Sequence, residues 1–446
     1  MTFGGQRTMH TVATILLATP HPDAVAALLT SLSRSGYACR LTSPDTLSSA
    51  IAQEAPDILL LGPGFSGNLL ETALHSAANA PCPALLLAAP GDEAAVLSAQ
   101  EHALAGILPW PDSIDALPYY LHPLTRLATM QSELARRQQT CHLPATAAGH
   151  GNPSLSDPPA SVLIISTHPS VASLQATLAP EVDVTTAPDT FSAQSLMEGR
   201  RFDACIMVPD TDREALFDLC LQIRRNPRLF NLPVLFLDDE QPLKALSMGA
   251  SHGLPLSASA ADLRFALRTL VQRQRQRWAL RQAMEQTRSA PFASPIAREA
   301  YNSQFMDQYA RAFLAERAHP HAFAIVGLLF AGVDAIEHEF GADAEQNLIA
   351  QIAQWLTLLV RAEDMVVHLD GARFCVILPD TPPEEAALVM NRIAGVISNT
   401  DFAVRDVYRV VTVWPYVVPM DLTLCQQAPS LATEVIQVLE SKTALL

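Results

Sequence analysis

The strongest constraint on this chain is an alternation that runs twice. Over residues 11 to about 137, Val12–Ala18, Ala38–Leu41, Ile58–Leu61, Ala84–Ala88 and Gly106–Pro109 read as strands. Between and after them, His21–Ser35, Thr46–Glu54, Leu69–Asn79, Glu93–His102 and Ser113 to about Arg137 read as helices. Strands alternating with helices at this spacing predict a doubly wound parallel sheet. After a connector rich in Pro, Gly and Ser at 138–160, the pattern starts again, which makes it an internal repeat. Val162–Ser166, Asp203–Val208 and Val234–Leu237 read as strands there, with helices at Val171–Leu178 and Glu214–Arg225. Pro56-Asp57 enters a strand in the first copy and Phe202-Asp203 enters one in the second.

The repeat closes in a long helix from Ala260 past Trp278 towards Gln286, a helical connector over 276–300 that could pair in a dimer. Arg264, Arg268, Arg273, Arg275, Arg277 and Arg281 lie along it, either as a solvated face or as a clamp for an anion. Beyond about 300 the order changes. Ala322–Phe330 and Tyr408–Val413 read as strands; Asp334–Phe340, Asp343–Arg361, Pro383–Ser398 and Leu431–Ser441 read as helices.

At 446 residues the chain has room for two to four domains with their own cores. Its net charge of −16 argues against broad nucleic-acid binding, which needs basic surface to displace counterions. Seven cysteines without a CxxC pair suit buried thiols in a reducing compartment. No secretion pattern and no membrane-length apolar run stands out, so a cytoplasmic protein is expected.

The most informative local stretch is Arg361 to Asp380. Met365–Leu369 and Phe374–Leu378 read as the two strands of a hairpin, turned at Asp370-Gly371. Arg361 and Asp364 precede it at i and i+3, and Arg392 follows on the next helix. This stretch resembles the signature hairpin of GGDEF domains, the diguanylate cyclases, which carry Gly-Gly-(Asp/Glu)-Glu-Phe at the tip and an Arg-x-x-Asp pair before it. Here the tip reads Asp370-Gly371-Ala372-Arg373-Phe374, and Arg361-x-x-Asp364 has the family's spacing.

The resemblance runs from Ala322 through Arg392, and it implies a mainly antiparallel α/β domain over 301–446. The family's metal-holding acids fall at Leu329, Ala331 and Ala372, and its guanine-reading Asn and Asp at Glu337 and Gln346. Joining two GTP molecules needs metal to shield phosphate charge, and Leu and Ala cannot supply the oxygen ligands that Mg²⁺ prefers. Neither catalytic residues nor a metal or other cofactor is therefore expected.

By the same resemblance, cyclic di-GMP binds at Arg361, Asp364 and Arg392. Arg can grip guanine N7 and O6 or a phosphate, and Asp can accept from guanine N1–H and its amine. The plain alternative is a surface salt bridge between Arg361 and Asp364, worth about 0.5 kcal/mol or less.

The two earlier repeats, 11–137 and 161–275, resemble flavodoxin-like response-regulator receiver domains. Their phosphoacceptor positions fall at Gly62 and Val208, and their Lys-Pro positions read Trp110-Pro111 and Leu256-Ser257. Without the carboxylate nucleophile, acidic metal ligands and Lys, phosphorylation is not expected. Asp210 and Asp212 read as solvated loop residues, and so does His21. The order receiver, receiver, GGDEF resembles PleD- and PopA-type bacterial cell-cycle regulators. That resemblance implies a catalytically silent cyclic di-GMP effector whose partners would include proteolysis adaptors, with homodimer formation and recruitment to a cell pole. The rival readings are a nucleotide-independent scaffold and a residual cyclase or GTP binder.

Overall fold

The computed structural model describes residues 12–89, 92–102, 104–143, 159–179, 181–210, 212–226, 228–289, 291–315, 323–404, 409–420 and 430–443. Most of the expected connector at 138–160, and residues 322 and 408 of two expected strands, lie outside them. The chain forms two compact units, one of 13–128 with 148–279, the other of 1–12 with 129–147 and 280–446.

The first unit holds two five-stranded parallel sheets. One has strands β1 (Thr14–Ala18), β2 (Ala38–Thr42), β3 (Ile58–Leu61), β4 (Ala84–Ala88) and β5 (Gly106–Pro109), in the order β2-β1-β3-β4-β5. Helices α1 (Ala26–Arg34), α2 (Leu47–Glu54), α3 (Gly67–Ala78), α4 (Glu93–Gln100) and α5 (Leu117–Thr140) follow the strands in turn. β3 and β4 are buried along their whole length, which is why they read as unbroken apolar runs rather than alternating ones.

The second sheet has β6 (Ala160–Ile165), β7 (Val182–Ala187), β8 (Ala204–Met207), β9 (Val234–Leu237) and β10 (His252–Leu254), in the order β10-β9-β8-β6-β7. Its helices are α6 (Val171–Leu178), α7 (Thr190–Gly199), α8 (Arg213–Arg225), α9 (Pro242–Ser247) and α10 (Ala260–Thr287). The repeat extends to side chains. Asp57 accepts hydrogen bonds from the backbone N–H and hydroxyl of Thr14, both at 2.7 Å, and Asp203 accepts from the N–H of Ser161 at 2.8 Å. In each copy an aspartate at the entry of the central strand pins the first strand beside it.

Four arginines of α10 correct the expectation of a solvated face, whereas Arg264 and Arg281, with side chains 41 % and 56 % exposed, keep to it. Arg268 donates to the carbonyl of Gln100 at 2.8 Å, Arg273 to that of Ala105 at 3.1 Å and Arg277 to the side chain of Asn231 at 2.8 Å. Arg275 lies 3.6 Å from Asp203. The helix thus ties its own sheet to the preceding one within this unit. Burial lowers the Arg273 pKa to about 10 and, with Arg273 beside it, that of His252 to about 4. The His252 ring meets Tyr120 edge-on at 5.2 Å.

The other unit is built on a four-stranded antiparallel sheet of β11 (Phe323–Ala331), β12 (Met365–Asp370), β13 (Arg373–Pro379) and β16 (Trp414–Pro419), in the order β12-β13-β11-β16. The short strands β14 (Phe402–Ala403) and β15 (Val410–Val411) pair separately. Helices α12 (Val333–Phe340), α13 (Ala342–Leu359) and α14 (Pro383–Ser398) build the core on one sheet face. α11 (Ser303–Ala315) and α15 (Leu431–Thr443) build the core on the other.

Both edges of this sheet are blunted. Met420 N–H bonds the carbonyl of Ile325 at 3.0 Å, so alternation turns the backbone of Pro415, Val417 and Pro419 outward, and two of these three have no N–H. At the opposite edge Tyr301 donates to the Val366 carbonyl and accepts from His368 N–H. No helix among the described residues is long and apolar enough to cross a membrane.

Candidate functional site

The hairpin forms, with a register one step from the expected one. Asp370 pairs with Arg373, so the turn residues are Gly371 and Ala372, and a bulge at Leu369 absorbs the difference. Gly371 takes φ +42°, a left-handed value that glycine adopts without a Cβ penalty. His368, buried, fixes the turn from below. One ring nitrogen pairs with the Ser294 hydroxyl at 2.8 Å and the other with the Gly371 carbonyl at 3.0 Å. Burial pushes the His368 pKa down, so a neutral ring donates from Nε2 to that carbonyl and accepts at Nδ1.

The acidic group that remains at the tip is already engaged. Arg373 grips Asp370 through Nε at 2.6 Å and Nη2 at 3.0 Å, and its Nη1 reaches Glu440 on α15 at 2.7 Å. This bidentate fork occupies the carboxylate oxygens that a divalent cation would need. Leu329 lies opposite Arg373 across the strands, Ala331 ends β11, and Ala372 is buried in the turn. Glu337 and Gln346 are both exposed on α12 and α13. Among the described residues no group of three potential metal ligands comes together.

The Arg-x-x-Asp pair is split in a way its spacing did not reveal. Asp364 Oδ2 accepts from the backbone N–H of Arg361 at 2.8 Å, closing the turn before β12. Its carboxyl is buried at 7 % exposure, and Oδ1 has no hydrogen-bond partner among the described residues. Burial, and then the neighbouring Glu363, push the Asp364 pKa up. Arg361 and Arg392 are both exposed, and no hydrogen bond or ion pair among the described residues holds either guanidinium. The arginines therefore face solvent, while the aspartate faces inward.

What lies over Asp364 is the end of α5, which sequence reasoning assigned to the first repeat alone. Arg137 Nη2 donates to the carbonyls of Glu363 and of Asp364, the latter at 3.3 Å. Glu133, one helical turn earlier, accepts from the Tyr309 hydroxyl at 3.0 Å and from Arg136. Arg136 lies 5.0 Å from the Phe313 ring centre and Arg137 lies 5.9 Å from that of Tyr301. Tyr301, just before α11, stacks in series with Phe305, Tyr309 and Phe313 of that helix, so the end of α5 meets an aromatic ladder. The available signal was Glu133-Arg136-Arg137 at i, i+3, i+4 in a helix longer than one repeat needs.

Local contacts engage several side chains at the carboxyl ends of the parallel strands, the usual ligand positions in such sheets. In the first, Thr19 donates to the Pro63 carbonyl at 3.0 Å and the exposed His21 ring packs over Gly64. In the second, Asp210 accepts from Thr167 at 2.8 Å, and Asp212 caps α8 by accepting from Ala215 N–H at 3.0 Å. Both aspartates are exposed, as expected of solvated loop residues, and each also accepts a hydrogen bond. Arg213 lies 3.0 Å from the buried Asp238.

Residues 299–413 match the family model for "Diguanylate cyclase, GGDEF domain". The chain is similar to the GGDEF domain of FimX from Pseudomonas aeruginosa, with 14 % identity, 33 % of this chain and 88 % of that one covered, and a TM-score of 0.28. It is similar to the GGDEF domain of DgcB from Caulobacter crescentus, solved in complex with c-di-GMP, with 13 % identity, 33 % and 83 % coverage and a TM-score of 0.28. A signal receiver domain of a histidine kinase from Syntrophus aciditrophicus also matches, with 19 % identity, 25 % and 89 % coverage and a TM-score of 0.24. Residues 299–413 are a GGDEF domain.

Proposed function

We infer that this GGDEF domain senses cyclic di-GMP without making it. The observation that carries the reading is that the guanidiniums of Arg361 and Arg392 are both exposed and unheld, in a domain whose hairpin Asp370 is gripped by Arg373. A dianionic dinucleotide suits two open arginines, which can take phosphate or the guanine major-groove edge in paired hydrogen bonds. Synthesis lacks its means, because Leu329, Ala331 and Ala372 offer no oxygen to a metal. On this reading the two parallel-sheet repeats, 11–137 and 161–275, are receiver-like adaptors without phosphoryl chemistry. The chain would act as an effector that recruits partner proteins.

The test is calorimetric titration with cyclic di-GMP, GTP and buffer in parallel. Saturable heat with cyclic di-GMP, lost in Arg361→Ala, is the expected result. Silence at tens of micromolar ligand overturns it, and cyclic di-GMP formed from GTP and Mg²⁺ overturns the loss of synthesis. A second reading, a scaffold with no nucleotide role, is favoured by one observation, the burial of Asp364. It predicts that Arg361→Ala leaves partner recruitment intact.

A further inference from the structure

We propose that the end of α5, residues 129–140, is a tethered competitor for the Arg361–Asp364 site, so that ligand binding and release of this helix end are coupled. The inference rests on the cyclic di-GMP reading and adds its regulation. A ligand that pairs with Asp364 needs at least one carboxylate oxygen at the surface. Both are buried, and the side that α5 covers carries Arg137, bonded to the carbonyls of Glu363 and Asp364. Asp364 Oδ1 is left without a hydrogen-bond partner among the described residues, and so is Arg137 Nε. A buried carboxylate oxygen with an empty lone pair is a position that a guanine N–H would satisfy and the present arrangement does not.

The contact is built to open. Met130 and Leu134 supply apolar anchorage, while Glu133, Arg136 and Arg137 are charges taken out of water. Buried ion networks gain little net stability, because desolvation offsets most of their attraction. Rehydrating them therefore returns much of what separation costs. A site open only a fraction of the time binds with its intrinsic affinity reduced by that fraction, so loosening the helix end tightens binding. The free thiol of Cys141, just past the helix, reports the same event. It is half-buried, it lies 3.5 Å from the Thr287 carbonyl, and burial raises its pKa to about 11. Alkylation at this residue is slow while the segment is docked.

The experiment uses the full chain and cyclic di-GMP. Titrations compare wild type with Arg137→Ala and, in case that variant folds poorly, Arg137→Gln. Peptide-level mass spectrometry follows iodoacetamide labelling of Cys141 in wild type with and without the dinucleotide. Binding about tenfold tighter in the variants, and Cys141 labelling several-fold faster with ligand, are expected. Wild-type binding that Arg137→Ala leaves equal or weaker, with Cys141 labelling indifferent to ligand, overturns the coupling and leaves the receptor reading standing. No binding by wild type or by either variant overturns both.

Discussion

Arginine is used in opposite ways in two regions of this molecule. Along α10, Arg268, Arg273 and Arg277 each end on a carbonyl or amide oxygen of the same compact unit. In the GGDEF domain, Arg361 and Arg392 end on nothing among the described residues. The two sets look alike in sequence, both being arginines on or beside helices. What separates them is whether a buried acceptor lies within reach. An arginine with an internal partner is part of the fold, and one without is available to a ligand.

The largest expected effect tests the open pair. Arg361→Ala weakens cyclic di-GMP binding by about 3 kcal/mol, roughly a hundredfold, with the thermal midpoint unchanged, as calorimetry and a melting scan would show. If stability falls and binding does not, the contrast fails. Next, Arg273→Ala costs about 2 kcal/mol in urea unfolding, because the Ala105 carbonyl loses its donor in a covered position. Cyclic di-GMP binding is untouched by that change.

The two units also differ in their response to acid. The folded pKa of His252 is held down at about 4, against about 6.5 unfolded, so the unfolded state takes up the proton first. This contribution is full above the unfolded value and is lost as pH falls towards the folded one, by about 1 kcal/mol at pH 5.5. Asp364 works in the other sense. Its folded pKa is raised, so its contribution grows as pH falls from the raised value towards the ordinary carboxyl range. His368 opposes it, with a folded pKa that is pushed down. Melting curves from pH 7.5 to 5, run on wild type, His252→Gln and Asp364→Asn, separate the contributions. Curves of the same slope in all three would contradict this account.

The smallest expected effect is at the hairpin tip. Arg373→Ala frees Asp370 and Glu440 at a cost of about 1 kcal/mol or less, since the pair is partly exposed. It confers no turnover of GTP, because Leu329, Ala331 and Ala372 remain. Product in a GTP incubation would break the link between lost carboxylates and lost synthesis.

Much of the scaffold could be read from the chain. Ile58–Leu61, Ala84–Ala88 and Val234–Leu237 stand as the sequence pattern placed them, because four or five consecutive apolar residues have few other uses, and Gly106–Pro109 stands too. β7 escaped notice because it is an edge strand, Val-Asp-Val-Thr-Thr-Ala, half open to water. α7 has only two buried residues and α9 only six residues in all, too little for a helical period to register. α11 and β16 were also missed, the latter carrying two prolines that argue against a strand. At the site, the spacing of Arg361, Asp364 and Arg392 was legible. The burial of Asp364 was not, because the helix end that packs there carries Arg137, more than two hundred residues earlier in the chain. Local patterns carry local structure, whereas burial is decided by whatever the rest of the chain brings up against it.

The two blunted margins of the antiparallel sheet limit how this domain can meet a neighbour. One margin offers a lone amide hydrogen between prolines, and the other is already stitched by Tyr301 and Arg137. Ribbon-on-ribbon growth has no template here. Recognition of another molecule falls to side chains, whose chemistry can be selected one residue at a time.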